Sequence, residues 1–372
     1  MPQKSFSFSQ QIWKRLRKNK LAFSGFIIII ISIFISIFGY ILAPDNTPFA
    51  DLQTIEIQAK KPGYTQMFLK IPQPKKVQEN LWSRLFTGTR SDFGYLPIAS
   101  YKTAGENIIV EKYVDEDTSI QQVYNLNQLT HNKAQNIKQH IITKKYWLGT
   151  DAFGRDILSR IIIGTRVSLA VGFIAVIISL TLGILLGAIA GYYRGWIDEI
   201  IMWLVNVTWS IPTLLLVFAI TLALGKGFWQ IFIAVGLTMW VSVARLVRGQ
   251  VMAIKELEYV QAAKALGFKN SRIILRHILP NILGPLMVIA AGNFATAIIV
   301  EAGLSFLGIG VQPPQPSWGL MIKENYNFII THNPMLALIP GFAIMLLVLA
   351  FNLLGNGLRD AVDVKTDAPS AP

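Results

Sequence analysis

Apolar residues in this chain gather into six long runs, at residues 21–43, 167–190, 200–224, 228–243, 282–308 and 335–354. The stretches between them are polar. About 20 consecutive apolar residues cross the hydrocarbon of a bilayer as a helix, so the pattern predicts six membrane-spanning helices. Residues 44–166, between the first two runs, follow another rhythm. Runs at 54–58, 67–71, 107–113 and 140–143 alternate or cluster β-forming residues between turn formers, and they predict short strands. Residues 121–139 read as helix or loop. The expected fold is an all-α membrane protein, a six-helix transmembrane bundle, carrying a small β-rich insert over 44–147.

A polar break at 250–281 has helical character of its own. Residues 250–266 are rich in helix formers and hold neither Gly nor Pro. Gly267 suits the left-handed position that ends a helix. Asn270 or Ser271 then caps a second helix, and Pro280 marks where that helix bends or stops. A helix–Gly–helix hairpin on the cytoplasmic face of a membrane protein is accessible to a soluble partner, so it is a candidate docking element.

Charge sets the expected orientation. The formal net charge is +13, which in a soluble protein would point to nucleic acid. Its placement points to a membrane. Lys4, Lys14, Arg15, Arg17, Lys18 and Lys20 precede the first run. Arg194, Arg245, Arg248, Lys255, Lys264, Lys269, Arg272 and Arg276 fall in loops on the same side of a six-span topology. Short loops rich in Lys and Arg stay in the cytoplasm, whereas long ones cross largely regardless of charge. Both termini are expected on the cytoplasmic side of the membrane, and the insert outside. Charged residues make up 15% of the chain, against about 25% in a typical soluble domain; this is not a cytosolic enzyme. The absence of cysteine excludes disulfides, Cys-ligated zinc and thiol catalysis. His131, His140, His277 and His332 are scattered over three loops without a metal-binding spacing.

Gln261, Ala262, Ala263, Gly267, Leu279 and Pro280 resemble the coupling loop of ABC-transporter permeases. That pattern is Glu-Ala-Ala, three residues, Gly, nine residues, an apolar position, one residue, Leu-Pro. Gln261 replaces the Glu, and His277 stands at the apolar position. Three more stretches, 147–172, 301–321 and 352–363, resemble the dipeptide, oligopeptide and nickel permease family in the same order. Their signatures are Gly-Thr-Asp-Ala-Phe-Gly-Arg-Asp ending at Asp156, Glu-Ala-Gly-Leu-Ser beginning at Glu301, and Leu-Leu-Gly-Asn-Gly-Leu-Arg-Asp ending at Asp360. The family usually carries Arg and Asp where Trp203 and Asn206 stand here, and Asp where Asn356 stands.

The resemblance implies the second, longer-loop permease subunit of a peptide-type importer, with a bundle like that of type I ABC permeases. Residues 1–20 would be a basic cytoplasmic segment, 21–43 the first span and 44–147 the extracytoplasmic insert. Residues 148–357 would form the permease core, with five spans and the coupling loop 250–281, and 358–372 a cytoplasmic tail. The resemblance also implies a homologous second permease, two ATP-binding subunits, an extracytoplasmic substrate-binding protein and di- or oligopeptide cargo.

A P-loop needs Gly, four residues, then Gly-Lys-Ser/Thr; the nearest string here, at Gly225, lacks that spacing. No cofactor is expected on this chain, with ATP on the partner subunits; lipid surrounds it and nucleic acid plays no part. Glu301 is an acid inside an apolar run. It either faces the cargo pathway or pairs with Arg166 at the outer end of the second run. Gly183, Gly187 and Gly191, and also Gly303 and Gly308, permit close helix approach. Pro212 is expected to kink the third run. Three rivals fit less well. An ATP-independent channel or secondary transporter would need more intramembrane charge than Glu301. A membrane-anchored sensor would need fewer spans. An intramembrane hydrolase would need a Ser/Lys, Asp/Asp or His–metal set. The insert is expected either to dock a substrate-binding protein or to act as a spacer.

Overall fold

The computed structural model describes residues 8–73, 80–105, 107–125, 140–225, 227–330 and 333–362. Helix α1 (Phe8–Lys18) precedes α2 (Lys20–Leu42). The insert holds β1 (Tyr64–Pro72), a short helix α3 (Leu81–Thr87), β2 (Phe93–Ala104), β3 (Asn107–Tyr113), β4 (Ser119–Asn125) and β5 (Ile141–Tyr146). Then come α4 (Ile157–Tyr193), α5 (Gly195–Ser210), α6 (Thr213–Leu224), α7 (Phe228–Lys255), α8 (Glu258–Ala265), α9 (Asn270–Ile273), α10 (Leu283–Phe306), α11 (Trp318–Asn325) and α12 (Met335–Val362).

Among the described residues, five helical stretches are long and apolar enough to cross a membrane: α2, α4, Asn270–Phe306, α7 and α12. The third expected span is not one helix. It is the pair α5 and α6, bent by 96°. Proline pushes the residue before it out of the helical region, and Ile211 is extended at φ −92, ψ 128. The kink expected at Pro212 is therefore a break.

The chain divides into two compact units. One comprises Phe34–Val167 and Pro313–Phe342. Its sheet is antiparallel, in the order β4-β3-β2-β1-β5. Successive side chains of a strand point to opposite faces, and β1 buries both. Leu69 packs with Ile98, Ile108 and Val110 on one face. Phe68 packs with Ile57 and Tyr146 on the other. The runs at 67–71 and 107–113 lie in strands as expected, as do 141–143.

The run at 54–58 does not form a strand: Ile55–Ile57 is a 3-10 turn. Its neighbours bond to the 150–153 turn instead. Thr54 N donates to Phe153 O at 3.1 Å, Ala59 N donates to Asp151 O at 2.9 Å, and the Thr150 hydroxyl donates to Ile57 O. Residues 121–125 belong to β4, not to a helix or loop, and 126–139 lie outside the described residues. The sequence pattern does not mark β2, where Gly94 and Pro97 weaken the strand signal.

The segment before α4 is the polar core of this unit. Gly149 (φ +83) and Gly154 (φ +72) make the tight turns their sequence suggested. They bring Asp151 and Arg155 together at 2.6 Å. Arg155 also reaches Glu324 of α11 at 2.6 Å and Asp51 at 3.1 Å. Arg160, fully buried, lies 3.3 Å from Glu324 and 3.6 Å from Asp151. Asp156 caps α4, accepting from Ser159 N at 2.9 Å and from its hydroxyl. Burial raises the Asp156 carboxyl above the usual carboxylate range, and the Ser159 bonds oppose that rise.

The second unit comprises Met1–Ile33, Ser168–Gln312 and Ala343–Pro372. Here α4 lies directly on α7. A Cβ on Gly191 would stand 2.7 Å from Arg248 O. One on Gly187 would stand 2.9 Å from Val247 Cβ, and one on Gly183 2.9 Å from Trp240 O. The Gly303 and Gly308 pair does not serve this purpose. The nearest atom to a Cβ on Gly303 is Leu214 Cδ1 at 3.9 Å, and Gly308 forms a turn at φ +83. Helix α5 is clipped to α7 by a bidentate pair, Asp198 with Arg248, at 2.5 and 2.6 Å. Asn206 accepts from Arg245 at 3.1 Å. That guanidinium rests on the Trp209 ring, 3.5 Å from its centroid.

Two stability predictions follow from these contacts. Gly187→Val should cost about 1–3 kcal/mol through overpacking, read as a lower unfolding temperature in detergent. Gly249→Ala, on α7 with open space around it, should show no such loss. Arg155→Met leaves three carboxylates facing Arg160 alone and should cost about 3–5 kcal/mol. Faster amide exchange in β1 and β5 should report it; unchanged exchange would show that the charge cluster does not hold the insert together.

Candidate functional site

The hairpin begins where α7 ends. The sequence predicted one helix through 250–266, but the chain turns at Glu256 and Leu257 before starting α8. A straight continuation would carry Val260 about 9 Å beyond Ile254. The turn instead returns Val260 and Ala263 to the cluster that buries Val247, Val251 and Ile254. Polar contacts brace it: Gln261 Nε2 donates to Lys255 O at 2.9 Å, and Lys255 Nζ donates to Tyr192 O at 2.8 Å.

Gly267 closes α8 as the sequence predicted, at φ +77. Phe268 N donates to Ala263 O at 3.2 Å, and Gly267 N donates to Lys264 O at 3.0 Å. These are the paired bonds of a Schellman motif, which satisfies carbonyls that a helix end leaves open. Phe268 packs into the same cluster as Ala263. Its ring carries the Arg272 guanidinium 4.5 Å from its centroid.

The second arm differs from the expected capped helix. Its N-cap is Lys269, with no side-chain bond. The Asn270 side chain accepts instead from the Tyr192 hydroxyl at 2.8 Å. After α9 the chain widens into a π turn, Ile274–Ile278, then tightens into a 3-10 turn, Leu279–Ile282. Pro280 lacks an N–H and clashes with a regular helical turn, so the irregular backbone sits where the sequence places the proline. Asn281 Nδ2 covers the His277 carbonyl at 2.7 Å.

The sequence motif divides between two faces. Ala263 is buried and Leu279 half-buried, while Gln261, Ala262, Gly267 and Pro280 are exposed. Ile273, Ile278 and Ile282 point inward with Ala263. Leu266, Lys269, Arg272 and Leu275 point outward. The result is a firmly seated ridge whose outer surface mixes apolar and basic side chains. Sequence reasoning missed Tyr192, Phe268 and Asn281. Only Phe268 had a local signal, as the residue that follows the closing glycine.

Glu301 bonds within its own helix, and Arg166 bonds to segments distant in sequence. Glu301 is buried in the penultimate turn of α10, nearer its end than the apolar run suggested. It accepts from the Ser305 hydroxyl at 2.7 Å, and that hydroxyl accepts from Val311 N at 3.0 Å. Arg166 donates to the carbonyls of Ser36, Ile37, Leu85 and Phe86, at 2.8 to 3.2 Å.

Several candidate spans with a polar hairpin between two of them define a multi-pass membrane protein. Residues 183–367 match the binding-protein-dependent transport system inner membrane component family. Residues 7–60 match the N-terminal TM domain of oligopeptide transport permease C. The dipeptide transport system permease protein DppC of Alkalihalophilus pseudofirmus is 48% identical over 221 residues, 59% of this chain and 72% of that protein. The glutathione transport system permease protein GsiD of Pectobacterium atrosepticum is 44% identical, over 59% of this chain and 73% of its own. The oligopeptide transport system permease protein OppC of Bacillus subtilis is 41% identical, over 60% and 73%. The chain belongs to this family of ABC importer permeases. It is a transport subunit, and membership selects the importer over the channel, sensor and hydrolase readings.

Proposed function

We propose that this chain forms half of the translocation path of an ATP-driven importer of di- or oligopeptides. A homologous permease supplies the other half, and ATP binds to two separate ATPase subunits. The observation that carries the reading is the hairpin from α8 to Leu279: its inner face is locked to the helices and its outer face is open. ATPase motion transmitted to such a rigid ridge would tilt the attached helices between outward and inward access. Peptide cargo is favoured by the relatives, whose names specify dipeptide, oligopeptide and glutathione transport. The insert lies outside, where it meets the substrate-binding protein that delivers the cargo.

A Cβ on Gly267 meets no atom within 4 Å, so substitution there tests backbone conformation alone. Gly267→Val should cost about 1–2 kcal/mol at the left-handed turn. Transport by the assembled complex should fall sharply while membrane insertion persists. Gly267→Asn, which tolerates positive φ, should keep more transport than Val. Normal uptake with Gly267→Val would sink the assignment.

The orientation is tested separately. In the cysteine-free chain, Lys102→Cys should react with an impermeant thiol reagent from outside the cell. Lys269→Cys should react only after the membrane is opened. The opposite pattern would reverse the topology and remove the hairpin from the ATPase side.

A further inference from the structure

Helix α3 is short but pinned at both ends. Asn80 caps it, its side-chain oxygen accepting from Leu81 N at 2.8 Å. Beyond the last turn, Gly88 (φ +81) lies so close to Tyr40 and Asn46 that a Cβ would stand 2.8 Å from each. Arg166 then ties α3 to α2. It donates to Leu85 O at 3.1 Å and Phe86 O at 2.8 Å on α3, and to Ser36 O at 3.0 Å and Ile37 O at 3.2 Å on α2. Its guanidinium also lies 5.3 Å from the Phe86 ring centroid and 5.2 Å from that of Tyr40.

This tie sets a depth. With 23 residues, α2 is about 34 Å long, only slightly more than the roughly 30 Å of hydrocarbon it crosses. Ser36 lies about 9 Å back from its end at Leu42. The last turn of α3 is therefore held at the rim of the hydrocarbon layer, not in open water.

The free surface of α3 suits that position. Leu81 is 77% exposed, Trp82 70% and Phe86 51%. The Trp82 and Phe86 rings stack 6.2 Å apart. The outer turns of α2 likewise leave Phe34, Ile37 and Ile41 uncovered, as a lipid-facing helix does. There is no acidic residue on α3, and Arg84 is exposed. Tryptophan is enriched where acyl chains meet headgroups, and arginine beside it favours anionic lipid.

We propose that α3 is an interfacial membrane anchor for the insert, with Trp82 and Phe86 at the boundary of headgroups and acyl chains and Arg84 among the phosphates. The anchor keeps the insert against the bilayer. This inference depends on α2 spanning the membrane, and not on the cargo or the ATPase assignment.

The chain has no cysteine, so Trp82→Cys carries a single bimane label. The assembled transporter is reconstituted in phosphatidylethanolamine and phosphatidylglycerol vesicles. A lipid with its nitroxide near the headgroup end of the acyl chain should quench the label several-fold more than a water-soluble nitroxide present on both sides. The same label on Lys102→Cys, in β2, should show the reverse preference. Equal or stronger quenching by the aqueous nitroxide at position 82 overturns the anchor. Shielding from both quenchers overturns it as well, because a protein partner would then cover the face. Phe86→Cys provides an independent reading on the same terms.

Discussion

The seat of the hairpin depends on how closely α4 approaches α7. In lipid, one apolar helix gains nothing by hiding from another, so association rests on close packing and hydrogen bonds. Gly183, Gly187 and Gly191 remove the side chains that would hold these helices apart, leaving backbone against side chain along one stripe. Along the stripe and next to it, Ala188, Tyr192, Val247 and Val251 form the floor on which Val260, Ala263, Ile273 and Ile278 rest. Widening the stripe would displace that floor.

The hairpin is braced by hydrogen bonds at its turns. The Schellman bonds close α8, Gln261 covers the carbonyl of Lys255, and Asn281 covers that of His277. Gln261 illustrates how a departure from the family pattern works physically. An amide donates to a carbonyl, as this one does, whereas an ionised Glu at the same position only accepts. In this chain that position braces the end of α7.

The insert unit solves a different problem, the burial of charge. A cation without partners is costly away from water, and removing one member of a buried pair strands the other. Arg155 and Arg160 are enclosed by Asp51, Asp151 and Glu324. Arg166 is held by backbone carbonyls instead. Each arrangement joins segments distant in sequence: the first ties the turn before α4 to α11, and the second ties α3 to α2.

Local features were legible in the sequence because they depend on a few neighbouring residues. The apolar runs are long enough to be spans, Gly267 sits in a left-handed turn, Pro212 breaks a span, and three of the four expected strands pair. The order of the motifs also revealed the family. Tertiary structure decided whatever depends on residues far apart in the chain. The Ile55–Ile57 turn, whose β-forming residues predict a strand, instead accepts a hydrogen bond from Thr150, 93 positions later. The break after Lys255 exists because Val260 and Ala263 must reach a core built on other helices. The division of the hairpin motif into a buried and an exposed face, and the carbonyls that receive Arg166, follow from the same cause: periodicity specifies which face of a segment is apolar, and only the path of the chain specifies what that face meets.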